Sequence, residues 1–138
     1  MNSTEEYIEK LRKSGLRPTK QRIKICEVLF NNDKTFHFTI NDLVKMIEVK
    51  ANQKISLATV YNTIHAFEKK GYLKEIAINS SQTYYDTNTT DHHHFFDESH
   101  KELIDLRNDD VHPIIIKKSI PGKKIKSVEL LVRVNNDN

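Results

Sequence analysis

The stretch SLATVYNTIHAFEKKG, residues 56–71, decides how the first half of the chain folds. Ser56 is a typical helix N-cap and Gly71 a typical terminator, so the stretch predicts one helix between them. Val60, Ile64 and Phe67 recur at helical spacing, which indicates an apolar stripe that faces a core. The opposite face is small and polar and carries Ser56, Ala58, Thr59, Tyr61, Asn62 and His65. Such a helix can pack on a core with one face and enter a nucleic-acid groove with the other.

The neighbouring segments predict three more helices and a hairpin. A capping box at residues 3–6 opens a first helix that Gly15 ends, Pro18 and Thr19 start a second, and Thr39 caps a third. The predicted inward positions of the second and third helices are Ile23, Cys26, Phe30, Ile40, Leu43, Val44 and Ile47. After Gly71, the runs YLKEIAI and QTYYDT flank the polar turn NSS, which is typical of a hairpin. This order predicts a winged helix-turn-helix: the third and fourth helices form the DNA-binding pair, and the hairpin is the wing.

Composition limits the class of protein. The chain has 138 residues, of which 37% are apolar and 30% are charged, as in ordinary globular proteins. No apolar run approaches the ~20 residues of a membrane helix, and the polar N-terminus is not a secretory signal. A single cysteine, Cys26, excludes an intrachain disulfide and a multi-cysteine zinc site. We therefore expect a reduced, cytoplasmic protein without a membrane partner.

Charge divides the chain into two parts. Residues 1–78 carry 14 Lys and Arg against nine Asp and Glu, whereas residues 83–112 carry two against eight and hold five histidines. A basic part suits a polyanion, and an acidic, histidine-rich part suits a cation. We predict a domain that binds DNA over residues 1–88 and a domain that binds a cation over residues 89–138.

The second domain is predicted to be a small sheet. The segments HFF, KELIDL, PIIIKK and KSVELLVRV indicate short strands of an antiparallel sheet. Because so small a sheet is not stable alone, we expect it to pair with a second copy in a homodimer.

Six residues are candidates for DNA contact. Tyr61 can touch a thymine methyl and Asn62 a base edge or phosphate, with Ser56 and Thr59 on the same face; the alternative is a solvated helix face. Arg22 is a candidate phosphate contact, and Arg17 in the linker GLRPT can enter a narrow A·T-rich minor groove. Both arginines are otherwise ordinary surface charges.

The stretch DHHHFFDESH, residues 91–100, is the candidate metal centre, unless its histidines lie in a solvated loop. In a strand, His92 and His94 point one way and His93 the other, with the two imidazoles about 7 Å apart along the strand. Further ligands are available in Asp86 at the end of the wing, in Asp105 in KELIDL and in the loop residue His37. Imidazole with carboxylate suits Fe²⁺, Mn²⁺ or Zn²⁺, and the lack of thiolates disfavours Cu⁺.

The motifs GLRPTKQR, SLATVYNTIHAF and HHHFF resemble the ferric uptake regulator (Fur) superfamily over nearly the whole chain. YYDTNTTDHHHFF followed by ELIDL looks most like its iron response regulator (Irr) branch, which responds to haem. The resemblance implies a winged helix, a C-terminal α+β dimerisation domain and A·T-rich inverted repeats as DNA sites. It places Tyr61 at thymine and Arg17 in the minor groove. It also implies a regulatory metal site of His37, Asp86, His92, His94 and Asp105.

The sequence departs from the family pattern in three places. Many relatives carry Cys-x-x-Cys after the histidine run, where this chain has Asp97 and His100, so a Cys₄ structural zinc is excluded. Whether Asp97, His100, His93 and His112 form a second metal site stays open. The cysteine-proline haem motif of some Irr proteins is absent, since Glu27 follows Cys26. Residues 109–122 are too short and too proline-interrupted for the helix that is common there.

These observations predict a dimeric metal- or haem-responsive transcription regulator of iron or haem homeostasis genes. Haem would bind at His92, His93 and His94, with Phe95 and Phe96 beside the porphyrin. The alternative is a direct Fe²⁺ sensor, or a peroxide sensor in which peroxide oxidises His37 or His92 with iron as the catalyst. A metal-dependent hydrolase is disfavoured because the chain shows no phosphate-binding loop and no nucleophile motif. It is also too short to enclose a substrate pocket. A purely structural metal module leaves the basic half unexplained.

Overall fold

Residues 3–137 are described by a computed structural model, in which the chain separates into two units between Thr89 and Thr90. The first unit contains α1 (Ser3–Lys13), α2 (Lys20–Phe30), β1 (His37–Phe38), α3 (Ile40–Lys50), α4 (Leu57–Lys70), β2 (Lys74–Asn79) and β3 (Gln82–Asp86). The second contains β4 (His93–Asp97), β5 (Glu102–Leu106), a 3₁₀ turn (Asn108–Asp110) and β6 (Leu131–Val134). No helix among the described residues is long and apolar enough to cross a membrane.

The helix boundaries follow from capping, as the sequence predicts. The Thr39 and Ser56 side chains accept backbone N–H groups of Asp42 and Thr59, and Asp42 completes a capping box at the start of α3. Gly71 ends α4 with φ +89°, a left-handed conformation that favours glycine. These caps satisfy backbone groups that would otherwise lack partners at the helix ends.

The core of the first unit is helical. Val60, Ile64 and Phe67 of α4 are fully buried, which confirms the predicted stripe. They pack in one cluster with residues of the other helices, including Leu11, Ile25, Cys26, Leu29, Leu43 and Ile47. Burial of this stripe fixes the opposite face of α4 toward the outside.

A three-stranded sheet of order β1-β3-β2 completes the first unit. The predicted hairpin is present as β2 and β3, which pair antiparallel. The sequence analysis missed β1, which adds His37 opposite Asp86 and Phe38 opposite Tyr85. Four helices with this hairpin form a winged helix-turn-helix, so the α+β fold class is confirmed.

The second unit is a three-stranded sheet of order β5-β4-β6, in which β4 pairs antiparallel with β5 and parallel with β6. The sheet is thus mixed rather than antiparallel as predicted, one predicted strand is absent, and another is shorter than predicted. Residues 113–118 form no strand, because Pro113 lacks an amide donor and three successive isoleucines cannot all point to one face. The last strand covers Leu131–Val134 rather than residues 126–134, since it pairs only along His94–Asp97 of β4.

Candidate metal centre and DNA-binding surface

Strand β4 brings two of the predicted ligands together. His92 immediately precedes the strand and His94 lies within it, so both imidazoles point to the same face. Their ring centroids are 4.4 Å apart, which is closer than their spacing along the backbone. Both rings are buried. The two imidazoles therefore share a face, as strand alternation predicted, and they lie closer together than the expected spacing along the strand.

Asp105 of β5 adds a carboxylate to this pair. It lies opposite His94 in the antiparallel register. One carboxylate oxygen is 3.3 Å from Nε2 of His94 and 3.5 Å from Nε2 of His92. Half of the Asp105 side chain remains exposed, so the group is accessible from solvent. We call His92, His94 and Asp105 the histidine–aspartate cluster.

The hydrogen bond of His92 shows that the donor set of this cluster fits a cation. Nδ1 of His92 lies 2.8 Å from the carbonyl oxygen of Thr90. A carbonyl can only accept, so Nδ1 donates, and in the tautomer that carries its single proton there Nε2 presents a lone pair. That lone pair faces the carboxylate of Asp105. Acceptor atoms that face each other are stabilised by a shared proton or by a metal ion between them. In addition, a hydrogen bond from Nδ1–H to a carbonyl is typical of histidines that bind metal.

The other two predicted ligands lie on the first unit. His37 and Asp86 are paired across β1 and β3. Asp86 is buried, and its Oδ1 accepts the backbone N–H of Asn88 at 2.8 Å. His37 is half-buried, with its ring edge-on to Tyr84. The five predicted ligands thus form two sets, one pair on the first unit and three residues on the second.

His93 has a different role from its neighbours. Its ring points to the other face of β4, and its Nδ1 accepts the backbone N–H of Leu130 at 2.9 Å. The ring is buried, as is Phe96, whereas Phe95 is half-buried. The three histidines proposed for haem are therefore not presented on one surface: His93 holds the segment before β6, and only His92 and His94 converge.

Asp97 and His100 also meet. Nδ1 of His100 lies 2.8 Å from a carboxylate oxygen of Asp97. This hydrogen bond holds the pKa of Asp97 below its usual value, with the backbone N–H groups of His100 and Ser99 assisting. Within residues 3–137, no third histidine, cysteine or carboxylate joins this pair, and His112 lies in an exposed segment.

The outer face of α4 presents part of the predicted DNA-binding set. Tyr61 and Asn62 are exposed. Ser56 and Thr59 are engaged with each other, since their hydroxyls lie 2.8 Å apart and Ser56 Oγ accepts the Thr59 N–H. These two residues build the start of the helix, so Tyr61 and Asn62 are left as the projecting candidates for base contact.

Leu57 is a candidate that the sequence analysis missed. It is 57% exposed at the first position of α4, one turn before Tyr61. Leu57 and Tyr61 line an open groove together with Asn41 of α3 and the wing residues Ser81 and Gln82. Helical spacing alone places Leu57 in line with Val60 and Ile64, three and seven residues later, so the sequence offered no signal that it would be exposed.

Arg17 and Arg22 are linked to each other. Nη1 of Arg22 donates to the backbone carbonyl of Arg17 at 3.0 Å. The Arg17 side chain is exposed, whereas Arg22 is half-buried. Arg22 therefore fixes the linker that carries Arg17.

Comparisons with known proteins agree with this architecture. The family model described as "Ferric uptake regulator family" matches residues 13–133. The Bacillus subtilis peroxide operon regulator is 35% identical over 101 residues, which is 73% of this chain and 68% of that protein. Among solved structures, the ferric uptake regulator of Pseudomonas aeruginosa with manganese has 21% identity and a TM-score of 0.68 over 100% of both chains. The ferric uptake regulator of Vibrio cholerae has 20% identity and a TM-score of 0.70 over 94% of this chain and 98% of that chain.

The family match covers most of the chain, and the two solved structures share its fold. A winged helix-turn-helix followed by a small sheet that carries clustered histidines and a carboxylate is the arrangement found here. The chain belongs to the ferric uptake regulator family of metal-responsive transcription regulators.

Proposed function

We propose that the protein is a homodimeric DNA-binding regulator whose affinity for DNA is set by a divalent metal. The observation that carries this proposal is the histidine–aspartate cluster, in which two imidazoles and a carboxylate converge at 3.3–3.5 Å. Two imidazoles with carboxylate oxygens suit Fe²⁺, Mn²⁺ and Zn²⁺. A divalent ion bound there would supply positive charge that neutralises Asp105.

The full ligand set that we propose is His37 and Asp86 from the first unit with His92, His94 and Asp105 from the second. Each unit offers too few ligands for a complete shell, because Fe²⁺, Mn²⁺ and Zn²⁺ take four to six. Ligands drawn from both units would tie the DNA-binding unit to the sensing unit. Metal occupancy would thereby determine how the two recognition helices of a dimer are spaced on DNA.

For the DNA, we propose an A·T-rich inverted repeat. The exposed face of α4 would enter the major groove, with Tyr61 and Leu57 against thymine methyls and Asn62 on a base edge. Arg17 would read an A·T-rich minor groove, held in place by Arg22. Two-fold symmetry of a homodimer would match the inverted repeat.

A peroxide response is a second candidate. It is favoured by the 35% identity to a Bacillus subtilis protein named for the peroxide operon. Ferrous iron would supply the redox chemistry, and His37 or His92 would be the oxidised ligand. Mass spectrometry of peroxide-treated, iron-loaded protein would locate an added oxygen on one of these residues, whereas the manganese-loaded protein should stay unmodified.

Haem sensing, as in the Irr branch, is the weaker alternative. His93 is bonded to Leu130 and Phe96 is buried, so neither is presented beside His92 and His94. Haem binding would require β4 to open. Titration with ferric haem tests this alternative directly: retention of the free-haem Soret band in the presence of protein would exclude it.

The deciding experiment is a gel shift on A·T-rich inverted-repeat DNA with and without Mn²⁺. We expect wild type to respond to Mn²⁺ and His92→Ala/His94→Ala to lose the response. His112→Ala is the matched control, since it removes an exposed imidazole outside the cluster. A metal response that survives in His92→Ala/His94→Ala would overturn the proposal.

A further inference from the structure

Thr87, the residue that directly follows Asp86, is bonded to the chain just before His37. Its hydroxyl oxygen accepts the backbone N–H of Phe36 at 3.0 Å and donates to the Phe36 carbonyl at 3.3 Å. Its own backbone N–H donates to the same carbonyl at 3.1 Å. These hydrogen bonds join two residues that lie 51 positions apart in the sequence. We call them together the Thr87–Phe36 clamp.

The clamp lies where the pairing of β1 with β3 ends. His37 is opposite Asp86, so the same register puts Phe36 opposite Thr87. In a regular hydrogen-bonded pair of antiparallel strands, the two residues exchange both of their N–H to carbonyl bonds. Here the Phe36 N–H donates to the Thr87 hydroxyl, which therefore takes the place of a backbone acceptor. A valine has a similar shape but no hydroxyl, so it could not do this.

Strand β1 depends on such a fastening because it has only two residues. After His37, the fully buried Phe38 ring holds the strand on the helical core. Before it, Phe36 is only partly buried against that core. Residues 33–35 are exposed and form no hydrogen bond with any residue between 3 and 137. His37 therefore lies between two anchors, the Phe38 ring and the clamp.

The clamp acts on the less firmly held of the two ligands that the first unit offers. Asp86 is buried, and its Oδ1 accepts the backbone N–H of Asn88 at 2.8 Å. His37 is half-buried at the edge of the sheet, with its ring edge-on to Tyr84. Two ligands on different strands keep their geometry only while the strands keep their register. The clamp continues that register by one residue beyond His37.

We propose that Thr87 is a positioning residue for the divalent metal, because its hydroxyl holds His37 beside Asp86 in the metal-free protein. The proposal rests on the ligand set of the proposed function and adds a residue that itself touches no ion. A ligand that is ordered in advance loses less freedom when it binds, which strengthens binding. The competing explanation is that Thr87 only stabilises the fold, with no particular link to His37.

The test compares three single substitutions in the full chain. Thr87→Val removes both bonds of the hydroxyl, whereas Thr87→Ser keeps a hydroxyl at the same position. Thr89→Val is the matched control, because Thr89 is exposed and its hydroxyl forms no hydrogen bond with any residue from 3 to 137. Calorimetric titration with Mn²⁺ gives the dissociation constant. Amide hydrogen exchange of the metal-free protein, followed by NMR, reports on the Phe36 N–H.

We expect Thr87→Val to raise the Mn²⁺ dissociation constant by ~10-fold, at the lower end of the ~10–100-fold that loss of an outer hydrogen-bond partner costs. Thr87→Ser should restore most of the affinity, and Thr89→Val should bind like wild type. Without metal, the Phe36 N–H should be protected from exchange in wild type and in Thr87→Ser. It should exchange faster in Thr87→Val, because its acceptor is missing.

A double-mutant cycle shows whether Thr87 acts through His37. In a His37→Ala background, Thr87→Val should have little further effect on the Mn²⁺ dissociation constant, since no imidazole is left to position. A merely structural role would instead weaken Mn²⁺ binding by the same factor in both backgrounds. That result would overturn the proposal, as would a Thr87→Ser variant that binds no better than Thr87→Val.

The remaining outcomes separate this proposal from the proposed function. If His37→Ala weakens Mn²⁺ binding and Thr87→Val does not, Thr87 has no positioning role and the ligand set still stands. If His37→Ala binds Mn²⁺ like wild type, the ligand set itself is wrong, and any effect of Thr87→Val on exchange is structural. An unprotected Phe36 N–H in metal-free wild type would show that the clamp is not formed in solution, whatever the variants do.

Discussion

Tyr61 stacks on His65, one turn further along α4, with ring centroids 4.3 Å apart and an angle of 26° between the planes. The imidazole covers one face of the phenol ring, and Tyr61 lines the groove between α4 and the wing. A residue that reads a base gains from such support, because less side-chain freedom is lost when it binds. In the proposed complex with DNA, the pair would therefore act as one reading element, in which His65 orients Tyr61.

Tyr61→Ala should weaken binding to the cognate site far more than binding to random DNA. Loss of an apolar contact with a thymine methyl should cost ~1–3 kcal/mol at that base pair. Competition gel shifts with cognate and scrambled duplexes give the ratio of specific to non-specific affinity. An unchanged ratio would show that Tyr61 does not read sequence. His65→Ala should lower the ratio by a smaller factor, because the tyrosine remains but loses its stacking partner.

Arg17→Ala should lower affinity most on sites with A·T-rich flanks. A narrow minor groove concentrates negative potential, and the exposed Arg17 guanidinium is suited to it. Arg22→Ala should also lower affinity most on sites with A·T-rich flanks, but by a smaller factor, since Arg22 donates to the Arg17 carbonyl at 3.0 Å. Equal losses on A·T-flanked and G·C-flanked duplexes would make Arg17 a simple phosphate contact.

The sequence was sufficient for the parts of the fold that local chemistry determines. Caps at Thr39 and Ser56, the stripe of Val60, Ile64 and Phe67 and the terminator Gly71 each have a signal within one or two turns of chain. Strand alternation likewise predicted that His92 and His94 share a face. These features depend on neighbours in sequence, and periodicity records such neighbours directly.

Features that depend on partners far away in the chain could not be predicted from the sequence. Strand β1 is only two residues long, and it exists because Phe38 and His37 pair with β3, some 50 residues later. The strand predicted at residues 113–118 has high β-propensity, but no neighbouring strand pairs with it. Likewise, nothing local shows that Nδ1 of His93 accepts a hydrogen bond from Leu130. Pairing across long separations decided each of these cases.

Cys26 should be unreactive toward thiol reagents in the folded protein. Burial raises the pKa of this thiol from 9.0 to about 12, and the thiolate is the reactive form. Reaction with Ellman's reagent at pH 8 should therefore follow global unfolding, with full reaction in guanidinium chloride. Rapid reaction of the native protein would contradict the burial.

The same shift makes a contribution to stability that depends on pH. The raised pKa means that the unfolded state loses the thiol proton first, so the contribution is complete below pH 9 and is lost as pH rises from 9 toward 12. Cys26→Ser gives no suitable comparison because it buries a hydroxyl, whereas Cys26→Ala removes the ionisation. Chemical denaturation between pH 8 and pH 11 should show a smaller loss of stability in Cys26→Ala than in wild type.

His37→Ala should weaken binding of Mn²⁺ without unfolding the first unit. His37 is half-buried on a two-residue strand, so its removal leaves no cavity in the helical core. Calorimetric titration with Mn²⁺ and a thermal melt measure the two properties. A metal affinity equal to wild type would remove His37 from the proposed ligand set and leave the histidine–aspartate cluster as the site.

Although His93 and His94 are adjacent, replacing His93 should affect mainly stability and replacing His94 should affect mainly metal binding. His94→Ala removes a ligand of the histidine–aspartate cluster, so Mn²⁺ affinity should fall by more than the ~10–100-fold that loss of an outer hydrogen-bond partner costs. His93→Ala removes the acceptor for the Leu130 N–H, so it should lower the free energy of unfolding by ~1–3 kcal/mol and leave Mn²⁺ affinity close to that of wild type. Paired denaturation curves and titrations of the two variants make the comparison. If both variants lose metal affinity equally, the two faces of β4 do not have the separate roles described here, and a ligand that draws on all three histidines, as haem would, becomes the better explanation.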